Sequence, residues 1–249
     1  MAADYDRYRS RYPDAVIDDV VSLSRLQPGS RVLEIGCGTG QLSVPLARQG
    51  MRLVAVELGP NLAAIARRNL TGFPGARVEV SGFEEWPLPA GSFDAVVSAS
   101  AFHWIDPEIR WSKAARALEP GGVLTIVHVH HVKGGTPGFF SETRPFYRRW
   151  GLSDDPFFEP TSPEDAPEMY PEIRHRAEFG EVERHRFEIP RWHTTESYVG
   201  WLKTDSLISG LDPRSRQGFL DDIHKLVDTK YGGRVCRNFV YEVIAATRS

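Results

Sequence analysis

The run Val32-Leu33-Glu34-Ile35-Gly36-Cys37-Gly38-Thr39-Gly40 constrains this chain more than any other stretch. An apolar segment of strand character meets a turn with glycine at every second position, and an amphipathic segment starts at Gln41. Glycine lets a backbone approach a bound ligand closely. A second apolar segment, Leu53-Val54-Ala55-Val56, closes on Glu57. A carboxylate at the tip of the second strand of such a unit can accept both hydroxyls of a ribose. The first third of the sequence therefore predicts strand, glycine turn and helix around a nucleoside ligand.

The turn also narrows which nucleoside is expected. A dinucleotide fingerprint has glycine at its first, third and sixth places. Here Gly40 holds the fifth place and Gln41 the sixth, which disfavours a nicotinamide dehydrogenase. No lysine follows in the position a phosphate-binding loop requires. The formal net charge of −3 argues against a dedicated nucleic-acid surface. Two cysteines, Cys37 and Cys236, suggest a reduced compartment and no disulfide framework. No signal-like segment opens the chain and no apolar run is long enough to span a bilayer, so a cytoplasmic protein without a membrane partner is expected.

Periodicity predicts an α/β fold, a doubly wound, mainly parallel seven-stranded sheet, in a single domain over 1–249. Helical spacing covers 13–26, within an N-terminal cap region at 1–30. Strands are expected at 31–35, up to Glu57, at 77–80, 93–97 and 123–129, with helices at 41–49, from Pro60 onward, and at 107–118. The residues Glu119-Pro120-Gly121-Gly122 read as a turn. Over 132–181 the pattern breaks into proline, glycine and aromatics, among them Phe139, Phe146, Trp150, Phe157, Phe158 and Tyr170. A segment of that length reads as a substrate lid or as a crossover helix with a decorated loop. Strands at 182–189 and 235–246 and helices at 195–207 and 214–230 complete the chain. Trp192 and Trp201 are expected in the core, and Arg148 and Arg149 on a solvated helix face.

The order acid-x-Gly-x-Gly-x-Gly from Glu34 resembles motif I of the class I S-adenosylmethionine (SAM) methyltransferases. The stretch from Ser81 to Asp94 is similar to the adenine-side loop of that family, and Leu118-Glu119-Pro120-Gly121-Gly122 to the turn before its fifth strand. Ser100-Ala101-Phe102-His103-Trp104-Ile105-Asp106 and Arg9-Ser10-Arg11-Tyr12-Pro13 resemble the trans-aconitate methyltransferase-like branch, within the type 11 methyltransferases. Those enzymes methylate small molecules, often carboxylates. The resemblance implies SAM as cofactor and S-adenosylhomocysteine as its product. It implies that Gly36, Cys37, Gly38, Gly40 and Gln41 wrap the amino-acid end of SAM, with Glu34 near its amino group. Glu57 and Leu58 would meet the ribose. Phe83 would meet adenine through its backbone, Glu84 would stand in for the missing amine acceptor at Gly82, and Ser98 would close the pocket. Arg9 and Tyr12 would cover the cofactor.

The acceptor side is expected to draw on Tyr12, His103, Trp104, His128 and His130, with His103 as the candidate base. His128, His130 and His131 form a cluster that lacks the cysteine or close carboxylate of a metal set, so no metal is expected. These readings lead to a SAM-dependent methyltransferase for a small molecule, preferentially by O-methylation of a carboxylate or hydroxyl, as a monomer or homodimer. The alternative is a SAM-binding protein of the same fold that catalyses a different reaction.

Overall fold

A computed structural model describes residues 1–89, 92–153 and 160–249; Phe157 and Phe158 lie outside the described residues. The strands are β1 (Arg31–Ile35), β2 (Arg52–Glu57), β3 (Ala76–Val80), β4 (Phe93–Ala99), β5 (Leu118–Val132), β6 (Phe179–Thr194) and β7 (Arg234–Arg248). The helices are α1 (Ala2–Tyr8), α2 (Asp14–Leu23), α3 (Ser43–Arg48), α4 (Pro60–Asn69), α5 (Arg110–Ala117), α6 (Phe139–Arg149), α7 (Thr195–Lys203), α8 (Ser206–Ser209) and α9 (Pro213–Tyr231). The strands form one sheet in the order β3-β2-β1-β4-β5-β7-β6. β1 pairs in parallel with β2 and β4, β2 with β3, and β4 with β5. The sheet is mixed and mostly parallel, as expected.

Local chemistry accounts for several boundaries. The central strands β1 and β4 are mostly apolar and largely buried, as strands covered on both faces must be. Helix α2 buries Val16, Ile17, Val20 and Leu23, one face at helical spacing. Pro60 opens α4 and Pro213 opens α9, positions where a missing N–H costs nothing. Asp212 caps α9 by accepting from the N–H groups of Arg214 and Ser215, and Gly232 ends it at φ 60°.

Four expectations shift. Residues 119–122 lie within β5, and the register against β4 jumps there. Phe93 pairs with Leu118 and Ala95 with Val123, so the turn residues loop out as a bulge. The segment 132–181 contains α6, a helix with Pro145 inside it. β6 runs 16 residues, continuing its alternation well beyond 182–189. Trp201 is buried at 5% exposure, whereas Trp192 stands 63% exposed under the guanidinium of Arg234.

The chain divides into two compact units. The larger comprises Arg11–Val129, Glu168–Phe187 and Tyr241–Ser249; the smaller comprises Met1–Ser10, His130–Pro167 and Glu188–Val240. The core of the larger unit joins Leu33, Val96, Leu124 and Ile126 of the sheet to Phe102, Trp111, Tyr170 and Phe179. Its rings meet edge to face, with Phe102 and Trp111 centroids 5.0 Å apart. In the smaller unit, Phe139 of α6 packs edge-on against Tyr198 and Tyr231, each 5.3 Å away, and Tyr147 against Phe219 at 5.0 Å. Arg149 reaches solvent and pairs with Asp222 at 3.0 Å.

Candidate active site

The glycine turn sits at the carboxyl end of β1 in the larger unit. Gly36, Gly38 and Gly40 all have left-handed φ, at 70°, 59° and 96°. A Cβ on Gly36 would stand 2.3 Å from the Cβ of Ala101, so only glycine fits there. The turn is tied on both sides. Glu57, 7% exposed at the end of β2, accepts the N–H of Gly38 at 2.8 Å on one oxygen and the N–H of Gly59 at 2.8 Å on the other. Asn69 of α4 donates to the Thr39 carbonyl at 2.9 Å, and Gln41 folds back onto Thr39, its amide donating to the hydroxyl at 2.7 Å. Leu58, immediately beyond Glu57, is 73% exposed.

Glu34 is 1% exposed and accepts a hydrogen bond from the hydroxyl of Ser43, at the start of α3. Burial raises its pKa to about 7, the Ser43 bond opposes the rise, and the charge of Glu57 adds to it. The carboxyl thus ties β1 to the start of α3 across the turn. Cys37 is buried, and burial followed by the charges of Glu34 and Glu57 pushes its thiol pKa up, so it stays a protonated, inert thiol. Ser98 is fully buried and donates to the Ile35 carbonyl at 3.0 Å. Its side chain braces β4 against β1.

The loop that follows β3 is held by a residue with no sequence signal. Lys113 of α5 donates to the carbonyls of Glu84 at 2.7 Å and Trp86 at 2.8 Å, and its ammonium lies 5.4 Å from the Phe83 ring centroid. Phe83 is buried, and the Glu84 carboxylate accepts the N–H of Asp106 at 3.0 Å.

Beyond β4 the chain turns sharply. Ser100 takes φ 55°, a strained value for a non-glycine residue. Its hydroxyl accepts from Tyr12 at 3.1 Å, and Tyr12 packs edge-on to Tyr241 at 6.3 Å. A 3-10 turn, Phe102–Trp104, then presents His103. The His103 ring lies 4.9 Å from that of Trp104, which is 71% exposed, and 6.1 Å from that of His128 on β5. Desolvation, then the positive charge of Arg110, hold the His103 pKa below the ordinary imidazole value. Arg110 is buried beneath, paired with Glu172 at 2.9 Å and surrounded by Phe102, Trp111 and Tyr170.

The larger unit therefore brings together Tyr12, Glu34, the glycine turn, Glu57, Phe83, Glu84, Ser98, His103, Trp104 and His128. Arg9 and His130 belong to the smaller unit. There, Arg9 lies over the Tyr5 ring at 5.4 Å and donates to the Thr204 carbonyl at 3.4 Å. His130 is 8% exposed, and His131 packs beside Trp201 and Phe239 at 5.3 and 5.1 Å. Among the described residues no group of three metal-ligating side chains occurs. No helix of the described residues is long and apolar enough to cross a membrane.

Known proteins are similar to this chain. Residues 33–126 match a family model described as a methyltransferase domain. An uncharacterized methyltransferase of Mycobacterium tuberculosis (strain H37Rv) is 30% identical over 226 residues, 90% of this chain and 83% of that protein. Malonyl-[acyl-carrier protein] O-methyltransferase of Geobacter sulfurreducens is 33% identical over 153 residues, 59% of this chain and 54% of that protein. Haemonchus contortus phosphoethanolamine N-methyltransferase 2, solved with phosphomonomethylethanolamine and S-adenosylhomocysteine, superposes with a TM-score of 0.58 at 18% identity. That likeness covers 99% of this chain and 56% of the nematode one, and it concerns the fold. The chain belongs to the class I SAM-dependent methyltransferases. The cradle fits the cofactor of that family. Its three left-handed glycines leave no side chain over the turn, and Glu57 keeps a lone pair on each oxygen beyond its two backbone bonds.

Proposed function

We propose that this methyltransferase methylates an oxygen of a small-molecule acceptor, and that His103 takes the acceptor's proton when that oxygen is a hydroxyl. One observation carries the reading: an imidazole kept neutral at neutral pH stands between an exposed indole and a second histidine, just past the strained end of β4. SAM supplies a methyl group already activated by the sulfonium charge. The protein's work is then to align the nucleophile and exclude water. Glu57 is assigned the ribose hydroxyls, and Leu58 the wall beside them. The backbone of Gly36, Cys37, Gly38, Gly40 and Gln41 is assigned the amino-acid end. Phe83 and Glu84 are assigned the adenine side, on the loop that Lys113 holds. Glu34 and Ser98 act as positioning residues through Ser43 and Ile35. Trp104 offers an apolar face to the acceptor, Tyr12 and Ser100 a pair of hydroxyls, and His128 a second imidazole. A carboxylate acceptor needs no base, and His103 then serves to orient it.

The name of the Geobacter relative supports oxygen as the methylated atom. The resemblance of residues 9–13 and 100–106 to the trans-aconitate methyltransferase-like branch supports a carboxylate. The test is transfer of an isotopically labelled methyl group from SAM to a panel of small carboxylates and phenols, with the labelled atom located by mass spectrometry. Label on oxygen is expected. Label confined to nitrogen or carbon, or none across the panel, contradicts the reading.

A further inference from the structure

The smaller unit holds a cavity of about 400 Å³ with no role in the methyl-transfer reading. Its walls come from the segment that leads into α6 and from Arg237 of β7. Arg237 is 6% exposed. Its Nη1 donates to the hydroxyl of Tyr198 at 3.0 Å, and its guanidinium lies over the Phe140 ring at 5.1 Å. Neither neighbour carries negative charge, and no carboxylate pairs with Arg237 among the described residues. A buried guanidinium without a counter-charge is costly, because water no longer solvates it and nothing replaces that solvation. A second group reports the same surplus. Burial, then the charges of Arg191 and Arg237, bring the pKa of His193 down to about 4.

The rest of the lining suits an anion. Lys133 opens a run, Gly134-Gly135-Thr136-Pro137-Gly138, in which the three glycines have φ of 116°, 78° and 72°. A Cβ on Gly135 would stand 2.2 Å from the Cys236 carbonyl oxygen, so the backbone lies flush against β7. The run ends at the N-terminus of α6, an eleven-residue helix whose N-cap, Gly138, provides no capping side chain. Ser141, in the first turn, faces the same cavity. A helix N-terminus favours negative charge, and a planar guanidinium binds carboxylate or phosphate through two parallel hydrogen bonds.

We propose that this cavity binds an anionic small molecule through a carboxylate or phosphate group, held by Arg237 and the first turn of α6, with Lys133 at the rim. The proposal is independent of the acceptor reading above, since none of its residues belongs to the larger unit.

The test is calorimetric titration of the full chain with inorganic phosphate, with succinate and with citrate, against a chloride control. Two variants accompany the parent. Ser141→Asp places a carboxylate on the cavity wall at a helix position where an acid is favourable, so it folds. Arg237→Gln removes the cation. Saturable binding of at least one probe to the parent is expected, weakened at least about tenfold in each variant, the loss typical of a charge-assisted pair. Preference for phosphate over the carboxylates, or the reverse, identifies the group. No saturable binding of any probe at millimolar concentration overturns the proposal. So does unchanged affinity in Ser141→Asp with native circular dichroism, and that variant decides the matter if Arg237→Gln fails to fold.

Discussion

Glu34 carries a proton near neutrality because it is sealed inside the glycine turn with Ser43 as its partner. Its folded pKa, about 7, lies above the ordinary 4.5. Between those values the native state holds a proton that the unfolded state has released, so stability falls as pH rises from 4.5 to 7. Glu34→Gln keeps the shape and removes the ionisation. It is expected to flatten that slope and to be more stable than the parent above pH 7 by about 1–3 kcal/mol, measured by urea unfolding across the pH range. A variant less stable than the parent at pH 8 would show that the carboxylate is needed charged. His103 has the opposite sign of effect. Its pKa is depressed, so with a hydroxyl acceptor the acid limb of kcat/KM lies below pH 6.5. His103→Ala is expected to lose that limb and about a hundredfold in kcat, with SAM affinity unchanged. Equal losses in kcat and SAM affinity would instead mark His103 as a cofactor-site residue. At this scale Glu57 was legible from its distance to the turn. Ser43, Lys113 and the strained Ser100 were not, because each acts through a contact that only the folded chain creates.

Among the elements, β1, β2, β3, α2 and α4 follow from short-range signals: apolar runs, helical spacing and Pro60. Three others needed tertiary context. The Glu-Pro-Gly-Gly run has turn chemistry, yet the flanking residues pair with β4, so the turn becomes a bulge inside β5. Pro145 breaks the helical pattern of α6, but packing of Phe139 and Tyr147 holds that helix. β6 runs beyond 182–189 at both ends, and its middle is anchored by charged residues. Arg184 and Arg186 both reach the fully buried carboxylate of Glu242 on β7, at 3.4 and 3.0 Å. Glu242 also accepts the N–H of Met169 at 3.0 Å. Glu242→Ala removes the buried carboxylate that both guanidiniums share, leaving Arg184 only Glu168 as a charged partner at 2.9 Å, and is expected to destabilise the protein by about 3 kcal/mol in denaturant unfolding. A loss under about 1 kcal/mol, the range of an exposed pair, would show that the cluster is solvated. Gly36→Ala tests the turn itself, since its Cβ would collide with Ala101. A folded variant with parental SAM affinity would contradict the close packing assigned to that turn.

For the whole molecule, residues 130–167 group with 1–10 and 188–240 as one compact unit, and 11–129, 168–187 and 241–249 as the other. Strands β5, β6 and β7 each pass from one unit into the other, which is why no linker composition marks a boundary. The Arg237 cavity was equally hidden, since it joins residues 133–141 to one roughly a hundred positions later. SAM binding to the native state should raise the unfolding free energy by about 2.7 kcal/mol at a hundred times its dissociation constant. The most direct measurement is calorimetric titration of ligand-free protein with SAM and with S-adenosylhomocysteine, on the parent and on Glu57→Ala. Micromolar binding of both ligands to the parent is predicted, with a loss of about 1–3 kcal/mol in the variant from the missing ribose hydrogen bonds. A parent that binds neither ligand, or a folded variant that binds both as tightly as the parent, would contradict the assignment of the glycine turn and Glu57 as the nucleoside grip.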